Sequence, residues 1–244
     1  MTENKANLGE QALSKAAEIG ISTQLDDVEA LNVDIRTNPL KLMQGELDSV
    51  AIEGHGLVMR EDLRMESLQF DMGSVAINPL SAAFGKIELT HPTDATAQVV
   101  LTETDLNRAL CSGYLHNKLQ NLEMTVNGEP RTIDVQQAEI SLLGEGKLTL
   151  NAEIYIQQTQ ETRQVRFTSL PKIGAGDRLI LDDLTYEGEG LSQELTDAFL
   201  AKTSELTDLR SFHVEGMSLA MQELMVEAGK MTIQAVAHVE QLPS

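Results

Sequence analysis

At 244 residues the chain is long enough to bury a core as one domain or two small ones, and 41% hydrophobic with 23% charged residues are the shares of a globular protein. A formal charge of −20, with none of the 18 Lys and Arg gathered into a run, excludes nucleic acid as a partner, since phosphate binding needs clustered cations. It also opposes stable residence on an anionic bilayer, where basic residues near the surface contribute about 1 kcal/mol each, and leaves at most transient membrane contact.

Only 3% of the residues are aromatic and none is Trp, so aliphatic side chains and ten Met must fill the interior. Cys111 is the single cysteine, which rules out an intrachain disulfide and gives no sign of an oxidising compartment. Its place beside an apolar stripe predicts a buried, inert thiol. The first twenty residues lack an apolar signal core and no stretch approaches 18 apolar residues, so the expected compartment is the cytoplasm.

Residues 1–7 read as a polar tail and residues 8–244 as one α+β domain. Leu8, Ala12, Ala16 and Ile19 recur on one face of a first helix ending near Thr23. Leu31, Val33 and Ile35 alternate with polar neighbours in a half-buried strand stopped by Asn38 and Pro39. Further on, strict alternation changes phase at three places. Leu63 and Met65 give way to Leu68, Phe70 and Met72 and then to Val75 and Ile77; Ile133 and Val135 to Ala138, Ile140 and Leu142; Phe212 and Val214 to Met217, Leu219 and Met221. An inserted residue of this kind is the mark of a β-bulge, and repeated bulges predict strongly curved strands. By contrast Leu148 to Ile156 and Met231 to Val239 keep phase throughout and should be the straightest strands.

The central stretch runs from Ala97 to Leu119. Val99 and Leu101 end a strand, Thr102 or Thr104 caps a helix with Glu103 and Asp105 at its positive end, and Leu106, Ala109, Leu110 and Gly113 form an apolar stripe closed by Lys118. A later helix from Leu191 to Leu209 gathers Leu195, Ala198 and Phe199 on one side, with Ser192 as its cap. A Glu-Gly-x-Gly-Leu string at Glu53 to Leu57 returns at Glu187 to Leu191, a weak sign of internal duplication.

The wording from Gly45 to Pro79, GELDSVAIEGHGLVMREDLRMESLQFDMGSVAINP, followed by KIELTHPTDATAQVVLTETDLNRAL from Lys86 to Leu110, resembles the LmeA-like phospholipid-binding family of cyanobacteria and actinobacteria. The resemblance covers Leu8 to Leu119. It implies a phospholipid partner and a fold similar to tubular lipid-binding proteins, in which a strongly curved, bulged antiparallel sheet wraps two or three amphipathic helices around an apolar groove. It implies no catalytic signature and no cofactor.

The residues agree with that silence on catalysis. The five histidines are dispersed, and no metal-ligand spacing is present, so no metal is expected. Asp182, Asp183, Glu187 and Glu189 lack the spacing of a calcium loop and read as a solvated turn. Ser169-Leu170-Pro171-Lys172 matches the string of Ser/Lys acylases, but Pro171 opposes the helix that chemistry needs. Gly216 to Ala220 matches a nucleophile elbow only loosely and lies in an apparent strand.

The leading expectation is therefore non-enzymatic binding of phospholipid or another apolar small molecule, with Leu106, Leu110, Tyr114 and Phe199 lining the groove. An acyl chain gains about 0.8 kcal/mol per buried CH₂ without any charge complementarity. The alternative is a protein-interaction or assembly factor whose acidic surface meets a basic protein partner, with no ligand.

Overall fold

The computed structural model describes residues 3–59, 62–78, 88–174, 178–186, 193–206 and 217–241. Most of them are in antiparallel strands. The chain opens with α1 (Glu3–Ser22), β1 (Ala30–Arg36) and α2 (Pro39–Gln44), followed by β2 (Glu46–Leu47), β3 (Ser49–Met59), β4 (Leu63–Met72), β5 (Val75–Ala76) and β6 (Glu88–Thr102). Next come α3 (Glu103–Cys111) and α4 (Gly113–Lys118), which lead into β7 (Leu122–Val126), β8 (Glu129–Gly144), β9 (Lys147–Ile156), β10 (Glu161–Gly174) and β11 (Arg178–Tyr186). The last elements are α5 (Gln193–Leu206), β12 (Met217–Glu227) and β13 (Lys230–Gln241). A first sheet has the order β1-β3-β4-β6-β13-β12, a second the order β11-β10-β9-β8-β7, and β2 pairs with β5.

Local chemistry accounts for the boundaries. The Asn38 carboxamide accepts the N–H groups of Leu40 and Lys41, and Pro39 needs no donor in the first turn, so α2 starts where β1 ends. Asn127 and Gly128 both hold positive φ, the twist that a two-residue hairpin between β7 and β8 requires. The α1 helix begins at Glu3, inside the stretch read as a polar tail.

The predicted curvature is present as curled sheets, but its origin differs from site to site. The register of β8 against β9 shifts between Val135 and Gln137, where the phase change at Ala138 predicts it. The pairing of β3 with β4, however, keeps one register from Val50–Met72 to Met59–Leu63, so the phase change after Met65 is not an inserted residue. The irregularity there belongs to the partner strand, where Gly56 takes a φ of 59° opposite Glu66. The change after Met72 is the end of β4 itself. The third site, at Phe212 and Val214, lies outside the described residues, as do Ser192 and the repeat at Glu187; β12 carries its shift between Met221 and Glu223 instead. Along β9 against β10, and β13 against β6, the register is constant from Leu148 to Ile156 and from Met231 to Val239, as strict alternation requires.

Three packed clusters hold the elements together. Leu13, Ala17 and Ile21 of α1 lie on the first sheet with Val33, Phe70 and Val239. Leu195, Phe199 and Leu200 of α5 lie on the second sheet with Ile133, Ile154 and Phe167. Where the sheets meet, Leu142 and Leu148 pack on Val226 and Met231.

The free edge of β1 is closed by side chains of α1. Glu10, Ser14 and Glu18 accept the backbone N–H groups of Thr37 at 3.0 Å, Ile35 at 3.1 Å and Val33 at 3.3 Å. Four residues of helix advance about 6 Å and two of strand about 6.7 Å, so polar residues spaced by four along an antiparallel helix meet every outward-facing amide of a strand. Such a helix stands in for the missing neighbour strand and removes an aggregation-prone edge.

Candidate functional site

The α3 helix is fixed between the two sheets by its charges. Thr102 and Asp105 form a capping box: the Asp105 N–H donates to the Thr102 hydroxyl oxygen at 3.1 Å, and the Asp105 carboxylate accepts the Thr102 N–H at 2.9 Å. The other carboxylate oxygen of Asp105, a residue only 2% exposed, receives the Arg64 guanidinium of β4 at 2.7 Å. Burial works against this charge, but the hydroxyl and N–H of Thr102 and the Arg64 guanidinium outweigh it and hold the carboxyl below its ordinary range. Arg64 also binds Glu29 and Glu66, each at 2.9 Å, and Arg108 pairs with Asp62.

The opposite side of α3 closes the edge of β8 in the same manner as α1 closes β1. Past Ile133 the strand has no partner in β7. The Leu142 N–H donates to the Glu103 carboxylate at 2.8 Å; the Asn107 carboxamide accepts the Ile140 N–H at 2.8 Å and donates to the Ile140 carbonyl at 2.8 Å. Farther along, the Val135 N–H donates to the Leu119 carbonyl at 3.0 Å and the Gln120 carboxamide donates to the Val135 carbonyl at 2.8 Å.

Between those rungs lies a cleft of about 630 Å³, walled by Asn107, Leu110, Cys111, His116 and Leu119 on the helical side and by β8 from Val135 to Glu139 with parts of β9 and β10 on the other. Its apolar lining is Leu110, Leu119 and Ala138, backed by Val135, Ala152 and Val165, which are buried in the core under α5. Among the described residues that line it, the formal charges are the carboxylates of Glu139 and Glu153.

The helix read as continuous to Lys118 breaks at Ser112. That residue takes φ −63° and ψ 149°, its hydroxyl donates to the Ala109 carbonyl at 2.6 Å, and its oxygen accepts the Leu115 N–H to start α4. The break corrects the reading of Cys111. Its thiol is exposed at the end of α3 and borders the cleft, because the stripe that was to bury it stops one residue later. Of the four residues predicted to line a groove, Leu110 borders the cleft, Leu106 packs into the cluster between the sheets, and Phe199 is 2% exposed in the core under α5. Tyr114 stands on α4, and its side chain lies outside the described residues. Sequence reasoning passed over Asn107; its place four residues from Glu103 was the available signal.

Catalytic strings find no support in the backbone. Ser169 and Lys172 lie on β10, three residues apart and hence on opposite faces, with Lys172 paired to Asp182 at 2.5 Å. Met217 to Ala220 is strand. Among the described residues no group of three His, Cys, Asp or Glu side chains is placed to hold a metal, and no helix is long and apolar enough to cross a membrane.

Two curled sheets, each carrying a helix on one face, are joined through α3 and α4, with the cleft beside that helical linker. The chain belongs to the LmeA-like phospholipid-binding family, whose model matches residues 5–236, nearly its whole length and far beyond the stretch from Leu8 to Leu119. Comparison with curated proteins and with solved structures gave no match.

Proposed function

We propose that the protein binds phospholipid or another apolar small molecule, without catalysing a reaction on it, in the cleft between α3–α4 and the second sheet. The carrying observation is that a member of a phospholipid-binding family has a cleft of about 630 Å³, within the roughly 300–1,000 Å³ of small-molecule sites, at the linker between its sheets. Leu110, Leu119 and Ala138 supply an apolar wall for acyl chain, and the polar residues around them suit the glycerol and head-group end. Leu106 and Phe199 belong to the packed clusters on either side. A fold of the tubular lipid-binding kind is supported by two curled sheets that each carry a helix on one face. Loading from a bilayer needs only brief contact, for which α2 offers Leu40 and Met43, 74% and 82% exposed.

Leu110→Asp tests this reading. Water reaches a cleft wall, so the variant should fold with a lowered melting temperature and carry several-fold less lipid than wild type after incubation with phosphatidylcholine vesicles, read by native mass spectrometry. A folded variant with full lipid load, or a wild type that takes up none, would refute the proposal.

A further inference from the structure

The floor of the cleft is one face of the second sheet. Gln137 of β8 lies opposite Glu153 of β9, which lies opposite Gln164 of β10; two residues along β8, Glu139 lies opposite Asn151. Alternation puts these side chains on one side of the sheet, because their neighbours Ala152 and Val165 point the other way, into the core under α5. All of them line the cleft. Glu139 and Glu153 are diagonal neighbours with Cβ atoms no more than about 7–8 Å apart, so one group placed between their carboxylates meets both. Among the described residues neither carboxylate has a hydrogen-bond or ion-pair partner, nor do the carboxamides of Gln136 and Gln137. Arg166 shares this face opposite Asn151; it has an interaction of its own and does not line the cleft.

The lining changes character in a fixed order along β8. Apolar Leu119 is bonded to Val135; next come the neutral carboxamides of Gln136 and Gln137, brought together by the bulge; then the carboxylates, Glu139 two residues on and Glu153 across the gap in β9. We infer that this cleft selects a phospholipid whose head group ends in a primary ammonium, as in phosphatidylethanolamine, and that Glu139 and Glu153 hold that ammonium. This rests on the proposed lipid-binding reading and names the head group of the ligand. Acyl chain, phosphate and ammonium follow one another in such a lipid as apolar wall, neutral donors and carboxylates do in the cleft. The phosphate oxygens accept from Gln136 and Gln137, whose carboxamides carry two N–H donors each. The ammonium, two carbons farther on, brings three N–H donors and a counter-charge to the pair of carboxylates. An anionic phospholipid keeps the phosphate contacts but adds negative charge beside that pair. A choline head group keeps the positive charge but has no N–H, and the described lining has no Phe, Tyr or Trp to face a quaternary ammonium.

The test incubates wild type with vesicles of equal parts phosphatidylethanolamine, phosphatidylcholine and phosphatidylglycerol, all with the same acyl chains, and reads the bound lipids by native mass spectrometry. Phosphatidylethanolamine should exceed each of the others by about fivefold or more. Glu139→Gln combined with Glu153→Gln keeps the shape of both side chains without their charge, and this double variant should take up the three lipids about equally. Equal uptake by wild type, or an undiminished preference in the folded double variant, overturns the inference. A second comparison needs no variant: N-acetyl phosphatidylethanolamine keeps the linker but has no ammonium, and wild type should load it no better than phosphatidylglycerol. Loading equal to that of phosphatidylethanolamine overturns the inference as well, and this comparison decides if the double variant does not fold. Uptake of phosphatidylcholine with no preference among head groups would sink only this inference; a wild type that takes up none of these lipids would sink the lipid-binding reading too.

Discussion

Cys111 and Asp105 sit six residues apart on one helix in opposite surroundings, and each makes a separate prediction. The thiol of Cys111 is exposed at the cleft, so thiol reagents should label it in the native state at a rate within about tenfold of that in denaturant, since a reagent reaches it without unfolding. A native rate hundreds of times slower would put the side chain inside the core. Asp105 is buried with its carboxyl held below its ordinary value of 3.8, chiefly because the Thr102 and Arg64 hydrogen bonds outweigh the opposing effect of burial. A depressed folded value means that the stabilisation is fully present above the ordinary value and is lost as pH falls from 3.8 through the folded value. Asp105→Asn should therefore be less stable at pH 7 by about 1.5–3 kcal/mol, the worth of hydrogen bonds to a charged group. The deficit should shrink in acid, and denaturant titrations of both proteins at pH 7 and pH 3 check this. A deficit independent of pH would show that the loss is one of packing and not of charge.

At the scale of elements, the closing of strand edges by helices is the device that positions the cleft, and Asn107 is its most informative member. Asn107→Leu leaves the Ile140 N–H and C=O without their partner in a half-buried place, which should cost about 1–3 kcal/mol and speed exchange of the Ile140 amide, measured by native-state hydrogen exchange. An unchanged exchange rate would mean that water already serves that edge. Sequence alone made the strands legible because alternation is a local property: β9 and β13 follow from their apolar residues, and the bulge at Gln136 from the single slip before Ala138. It misjudged the slip after Met65, because a kink in β3 at Gly56 produces on β4 the same pattern as an inserted residue. The break at Ser112 was hidden by the apolar stripe, which carries its periodicity across a helix end without marking it. The edge-closing series were hidden for a different reason. Glu10, Ser14 and Glu18, or Glu103 and Asn107, look like the solvent side of an amphipathic helix until a strand is known to lie beside them.

At the scale of the molecule, a charge of −20 on a member of a phospholipid-binding family predicts weak residence on anionic membranes. Sedimentation with vesicles should be weak and should not rise as phosphatidylglycerol replaces phosphatidylcholine, because net repulsion grows with the anionic fraction; a steep rise would reveal a cationic face. The topology has a consequence of another kind. The first sheet takes β1, β3, β4 and β6 from the start of the chain and β12 and β13 from its end, and the whole second sheet is made in between. On a ribosome β6 is complete at Thr102, yet its partner β13 begins only at Lys230. At about 5–20 residues per second the Val99 and Leu101 edge waits on the order of ten seconds for the strand that will cover it. The second sheet is assembled from neighbouring hairpins and has no such delay. A nascent chain halted before β12 would hold one finished sheet and one with an open flank, so the vulnerable period in the life of this protein falls during its synthesis, and the chaperones that meet it there would be reading β6.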